Sequence, residues 1–163
     1  MVAINPVYSS EGIRWHRFSV FAIITDEPNR SVLLVRRRRG GQQWTLPGGK
    51  AKGGETLRDA LQREVVEETG LQVEPIGLVA MLELALPRKT RIYFQCRVLR
   101  AESRRWTHTG EIMAKGYFPP SEIPTSRSFA LRLLFDHMPD WPYARHPVQC
   151  HRTMIGGTSP FEL

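Results

Sequence analysis

Residues 48–71 read GGKAKGGETLRDALQREVVEETGL, a glycine-rich loop running directly into a helix. Thr56 followed three residues later by Asp59 marks a helix start, because the hydroxyl can accept from a free backbone N–H. Gly70 suits a left-handed stop. The spacing predicts a helix from about Thr56 to Thr69. At roughly 100° per residue, Leu57, Ala60, Leu61 and Val65 share a core-facing stripe. Glu64 and Glu68 fall on that same side, with Glu67 beside them. The apolar stripe of the first turns therefore becomes carboxylate in the last ones. Like charges at i, i+3 and i+4 oppose a helix by a few tenths of a kcal/mol per pair. They also stand at the negative end of the helix dipole, where anions are unfavourable.

A bound cation removes the conflict. Oxygen-only ligands suit a hard ion, Mg²⁺ or Mn²⁺, and Mg²⁺ commonly shares its shell with substrate phosphates. The glycine loop allows close backbone approach, offering a carbonyl to a metal or N–H groups to a phosphate. A lone pair of glutamates followed by a third would more often be a solvated surface helix. The constraint here is longer: Gly49, Glu55, Arg63-Glu64-Val65, Glu67-Glu68 and Gly70-Leu71 at fixed intervals.

That pattern resembles the signature box of the Nudix hydrolases at every defined position. The resemblance with its flanking features covers about residues 13–137. It implies an α/β Nudix fold, a mixed β-sheet sandwiched between α-helices. It also implies metal-dependent hydrolysis of a nucleoside diphosphate linked to another group. By the same resemblance, Glu64, Glu67, Glu68 and the Gly48 carbonyl hold the metal. Glu55 and Arg63 form a structural pair that orients the catalytic helix and loop. Elementary chemistry agrees, since an arginine among carboxylates relieves their repulsion and can grip one through two N–H groups. Lys52 stands where many members carry a glutamate, outside the defining pattern. The general base varies within the family; Glu67, Glu68 and Glu111 are the candidates, with Glu111 preceding an aromatic segment.

Over the whole chain, 163 residues suffice for a single domain with its own core, its centre at about 13–138 and an irregular tail at 139–163. A formal net charge of +7 favours polyanionic partners. The expected partner is a small nucleotide diphosphate, with nucleic acid less favoured. The alternatives to a small-nucleotide hydrolase are hydrolysis at the 5′ end of RNA, which the positive charge and Arg36 to Arg39 would serve, and a non-catalytic nucleotide-sensing module. Two cysteines, Cys96 and Cys150, give no disulfide framework, and no signal or membrane-spanning run is present, so the expectation is cytoplasmic. The protein is expected as a monomer or homodimer.

The remaining segments read as follows. Residues 1–12 look like an irregular lead-in. Strands are expected from Arg17 to Thr25 and from Ser31 to Arg37, joined by turn residues into a hairpin. Four arginines, Arg36 to Arg39, must alternate faces on a strand, and Arg36 is the expected substrate contact by resemblance. Trp44 reads as a packing residue. Two further strands, about Pro75–Leu86 and Arg91–Leu99, make a second hairpin, with an isolated Glu83. Pro87 stands near a proline that marks ADP-ribose-hydrolysing members. Trp106 and His108 lie in a polar loop, a short strand covers Tyr117-Phe118, and a second helix spans Ser126–Met138. His146, Cys150 and His151 match no usual zinc spacing.

Overall fold

The apolar run Arg17–Asp26 becomes the strand on which the others assemble. The structure, a computed structural model, describes residues 7–9, 12–14, 17–39, 41–84, 89–101, 110–128, 131, 132, 134 and 149–153. In chain order the elements are β1 (Val7–Ser9), β2 (Gly12–Arg14), β3 (Arg17–Asp26), β4 (Ser31–Arg37), β5 (Trp44–Thr45) and β6 (Gly48–Lys50). Then follow α1 (Leu57–Thr69), β7 (Leu71–Leu84), β8 (Lys89–Ala101), β9 (Ile112–Phe118), a short 3₁₀ turn (Pro120–Glu122) and β10 (Gln149–Thr153).

The sheet is mixed. Its path is β10-β7-β8-β3-β4-β5, with β6 beside β3 and β9 beside β4. β3 runs parallel to β8 and antiparallel to β6, while β7 and β8 form the long antiparallel hairpin. β3 lacks polar alternation because both its faces are covered. Val20, Ala22 and Ile24 pack with Ala60, Leu61 and Val65 of α1. Phe21 and Ile23 face the opposite way, into a cluster with Leu34, Leu46, Tyr93, Ile123, Leu131 and Leu134. The expected layering of sheet and helix is therefore present. Of the second expected helix, Leu131, Arg132 and Leu134 are helical, with Leu131 and Leu134 buried; Phe129, Ala130, Leu133 and 135–138 lie outside the described residues.

Several boundaries differ from the sequence reading. β7 begins at Leu71 rather than Pro75, because left-handed Gly70 (φ 72°) turns the chain straight from helix into strand. Pro75 is tolerated where the ladder shifts register between Pro75 and Gly77. β9 starts at Ile112, five residues before the expected strand, and pairs along β4. The lead-in is not irregular throughout, since β1 and β2 pair as a hairpin. Nor is the tail, where β10 adds a parallel strand to the β7 edge. Both are short pieces stabilised by backbone pairing, which leaves little trace in local periodicity. Pro87, Trp106, His108 and His146 lie outside the described residues.

Candidate active site

α1 is built as its sequence dictates. Thr56 caps it, accepting from the Asp59 N–H at 3.1 Å, and Gly70 N–H closes the far end on the Val66 carbonyl. Packing of Leu61 and Val65 against the sheet fixes the rotation, and so fixes the direction of the glutamates one and two turns along. Glu68 is consequently buried, only 3% exposed.

The glycine loop meets this helix face at close range. A Cβ on Gly49 would stand 2.4 Å from the Glu64 carboxylate. Gly48 has φ 141°, and a Cβ there would meet the Val20 carbonyl oxygen at 2.1 Å. Only glycine fits at Gly48, where the close atoms are backbone, whereas at Gly49 a side chain would have to displace the Glu64 carboxylate. The Gly48 N–H donates to Glu68 Oε2 at 2.8 Å.

Two arginines organise the carboxylates. Arg63 donates from Nε and Nη2 to the two oxygens of Glu55, at 2.6 and 3.0 Å. Its Nη1 reaches Glu64 Oε1 at 2.9 Å and Glu67 Oε2 at 3.4 Å, and Nη2 also donates to the Lys50 carbonyl at 3.1 Å. Glu55 additionally accepts from the Lys52 N–H at 2.8 Å. The fork from Arg63, then the Lys52 N–H, hold the Glu55 carboxyl down at about 2. Arg37 is the second organiser. Its Nη2 stands 2.6 Å from Glu68 Oε1 and donates to the Gly48 carbonyl. Burial pushes Glu68 up to about 7 against the pull of Arg37 and the Gly48 N–H, and the charges of Glu64 and Glu111 add to the rise.

The structure thus gathers Gly48, Glu55, Arg63, Glu64, Glu67 and Glu68 in one place. Glu111 is exposed on the turn before β9, near enough for its charge to be felt at Glu68, and its carbonyl accepts from the Arg38 N–H at 2.8 Å. Arg36 is directed elsewhere: its Nε donates to the Gln42 carbonyl at 3.1 Å and its Nη2 to Gln42 Oε1 at 3.4 Å. Trp44 packs edge-on against Phe118 with ring centroids 4.8 Å apart, as a packing residue would. The sequence reading missed Arg37 and Lys115, whose Nζ donates to the Thr69 carbonyl and supplies the cation that the last turn of α1 lacks. Strand alternation predicts that one parity of the arginine run faces α1. It does not say which, because β4 is apolar on both sides.

The donor set suits a divalent ion in chemistry: three carboxylates and one peptide carbonyl, all hard oxygen donors. Among the described residues no three carboxylate, imidazole or thiol side chains stand as a ready cage. Glu64 and Glu67 are turned to Arg63, and Glu68 to Arg37. The Glu67 side chain, 54% exposed, has the freedom to turn away from Arg63.

Comparisons with known proteins agree on one family. The NUDIX domain model matches residues 15–137. The chain is 31% identical over 113 residues to the human 8-oxo-dGDP phosphatase NUDT18, a match covering 66% of this chain and 34% of that protein. It is 31% identical over 121 residues to a MutT-like protein of Streptomyces ambofaciens, covering 73% and 75%. An ADP-ribose pyrophosphatase from Streptococcus suis superposes with a TM-score of 0.64 at 27% identity, covering 84% of this chain and 98% of that one. The chain spans about a third of the length of NUDT18.

Proposed function

This chain belongs to the NUDIX family, and from that premise we propose that it is a metal-dependent pyrophosphohydrolase. It would cleave the diphosphate of a nucleoside diphosphate linked to another moiety, whether a nucleoside triphosphate, ADP-ribose or a nucleotide sugar. The observation that carries this reading is the approach of Glu64 and Glu68 to the Gly48–Gly49 loop, with Glu67 beside them on Arg63. The similar proteins bear names of the same chemical class, an 8-oxo-dGDP phosphatase and an ADP-ribose pyrophosphatase.

Nudix hydrolases generally use divalent metal ions, and in this chain Gly48, Glu64, Glu67 and Glu68 would hold Mg²⁺ or Mn²⁺. The ion would neutralise charge on the diphosphate and acidify a bound water. The chain's own residues do the rest. Arg63 binds Glu55, Glu64, Glu67 and the Lys50 carbonyl at once, so it ties the loop to the helix and positions both for the diphosphate. Arg37 holds the Glu68 carboxylate against the Gly48 peptide. The proton of the attacking water passes to a carboxylate, for which Glu67, Glu68 and Glu111 are the candidates. Such a step contributes roughly 10²–10⁴ in rate. Arg36 remains a proposed substrate contact that would first have to leave Gln42.

The test is a panel of nucleotide diphosphates with Mg²⁺ or Mn²⁺, both products identified by mass. Release of a nucleoside monophosphate or of phosphate is expected. No turnover on the panel together with no affinity for either ion would sink the reading. The free, buried thiol of Cys96 fits a reducing compartment such as the cytoplasm. No helix among the described residues is long and apolar enough to cross a membrane.

A further inference from the structure

Beside the catalytic loop, on the sheet face opposite α1, the register collects four cations. β3 pairs with β8 so that Arg17 lies against Lys89 and Ser19 against Arg91, and β6 sets Lys50 against Ser19 on the other side. Paired residues share a face, so Arg17, Lys50, Lys89 and Arg91 stand on the face that carries Phe21 and Tyr93. None of the ion pairs among the described residues includes any of them. Their mutual approach is felt at Lys89, whose ammonium is lowered by burial and then by the charges of Arg91, Lys50 and Arg17.

Ordinary surface lysines and arginines separate or find carboxylates. These four are held together by strand pairing, at a cost in repulsion. Arg91 is the deepest. Its guanidinium carbon is 5.8 Å from the centre of the Phe21 ring, and its Nε is buried with no hydrogen-bond partner. Phe21 stacks on Tyr93 at 5.3 Å, and the buried Tyr93 phenol lies close enough to Arg91 for that guanidinium to offset part of the rise that burial causes. A buried donor without an acceptor, such as Arg91 Nε among the described residues, is rare in folded proteins and calls for an explanation.

The position ties the cluster to the reaction. Lys50 follows Gly49 directly, and its carbonyl is one of the acceptors of Arg63. The three-residue strand β6 therefore carries both the Gly48–Gly49 pair and one member of the cluster, so the two lie side by side in the chain. We propose that Arg17, Lys50, Lys89 and Arg91 form a subsite for a further phosphate group of the substrate, beyond the diphosphate that is cleaved. The inference rests on the pyrophosphohydrolase reading for its substrate, but the anion site itself does not. Substrates with an additional phosphate, nucleoside triphosphates or phosphorylated nucleotide sugars, are then preferred over unadorned ones such as ADP-ribose. Arginine supplies the forked donors and lysine the point charges that phosphate oxygens accept.

The experiment has two arms. In the first, binding of tripolyphosphate is measured by calorimetry with chelator present, so that no metal or turnover is involved. The folded protein is expected to bind it, and Lys89→Gln and Arg17→Gln each to weaken it roughly tenfold, about one charge-assisted hydrogen bond. Arg91→Lys, which keeps the charge and loses the fork, should lie between. Circular dichroism confirms that each variant is folded. No binding by the unaltered protein, or equal binding by all variants, overturns the subsite. In the second arm, KM and kcat are compared for a nucleoside triphosphate and for ADP-ribose. The Lys89→Gln substitution should raise KM for the triphosphate alone and leave kcat near its starting value. Equal effects on both substrates overturn the subsite while leaving the hydrolase reading intact. Tripolyphosphate binding that depends on these residues in a protein that hydrolyses nothing would do the reverse.

Discussion

At the residue scale, one arginine shows how much depends on strand parity. Arg36 and Arg37 are neighbours in an all-arginine run, yet Arg36 holds Gln42 while Arg37 reaches the buried carboxylate of Glu68. Removing Arg37 leaves a desolvated carboxylate with less compensation. Arg37→Met should cost about 1–3 kcal/mol in urea unfolding and lower hydrolysis at least tenfold. Arg36→Met should lie within about 0.5 kcal/mol of the parent protein, as surface changes usually do. Equal losses for both would mean that the parity has no consequence. Glu55 gives a pH signature. Its folded value, about 2, lies below the ordinary 4.5, so the ionised form is bound more tightly in the folded protein. The stability it contributes is fully present above pH 4.5 and is lost as pH falls through about 2. Glu55→Gln should flatten that part of the acid-unfolding curve, and an unaltered curve would contradict the Arg63 fork. The box glutamates were legible at this scale because their spacing is fixed along one helix. Arg37 was not, because SVLLV is apolar on both faces and gives no sign of which face each arginine takes.

At the scale of elements, the loop and the helix operate as one unit. The helix begins at a threonine cap and ends at a left-handed glycine, and both were readable because capping is local chemistry. Thr56→Ala should cost about 1 kcal/mol of stability, measured by thermal or urea unfolding. The two loop glycines separate structure from function. At Gly48 an added Cβ meets backbone of β3, which cannot yield, whereas at Gly49 it meets the end of the Glu64 side chain. Gly48→Ala is therefore expected to yield little folded protein. Gly49→Ala should fold, with Glu64 displaced and metal affinity and hydrolysis both reduced at least tenfold. A fully active Gly49→Ala protein would remove Glu64 from the site. The carboxylates at the negative end of α1 find their counterweight in Lys115, brought from β9 onto the Thr69 carbonyl. Nothing within the helix sequence foretold that cation.

At the scale of the whole molecule, the central strand β3 is covered on both faces, and one thiol is sealed beneath α1. Cys96 is buried under α1, and burial alone pushes its thiol up to about 12. In a Cys150→Ser background, labelling of Cys96 at neutral pH should track global unfolding rather than local opening. Rapid labelling of the native protein would show that the helix lifts from the sheet. The same scale explains the errors of boundary. β10 exists as a strand because the β7 edge offers unpaired backbone groups, and β1 and β2 exist because they pair with each other.

By itself the amino-acid sequence determined the helix, its caps, the glycine loop, the carboxylate spacing and the central strands. Each of these depends on residues no more than a few positions apart, where propensity and period act directly. Only the tertiary structure decided which arginine meets Glu68, which lysine completes the helix end, and which four cations are pressed together beside the loop. Those pairings join residues distant in the chain through the register of a sheet, and register is set by the packing of both its faces at once rather than by any local run.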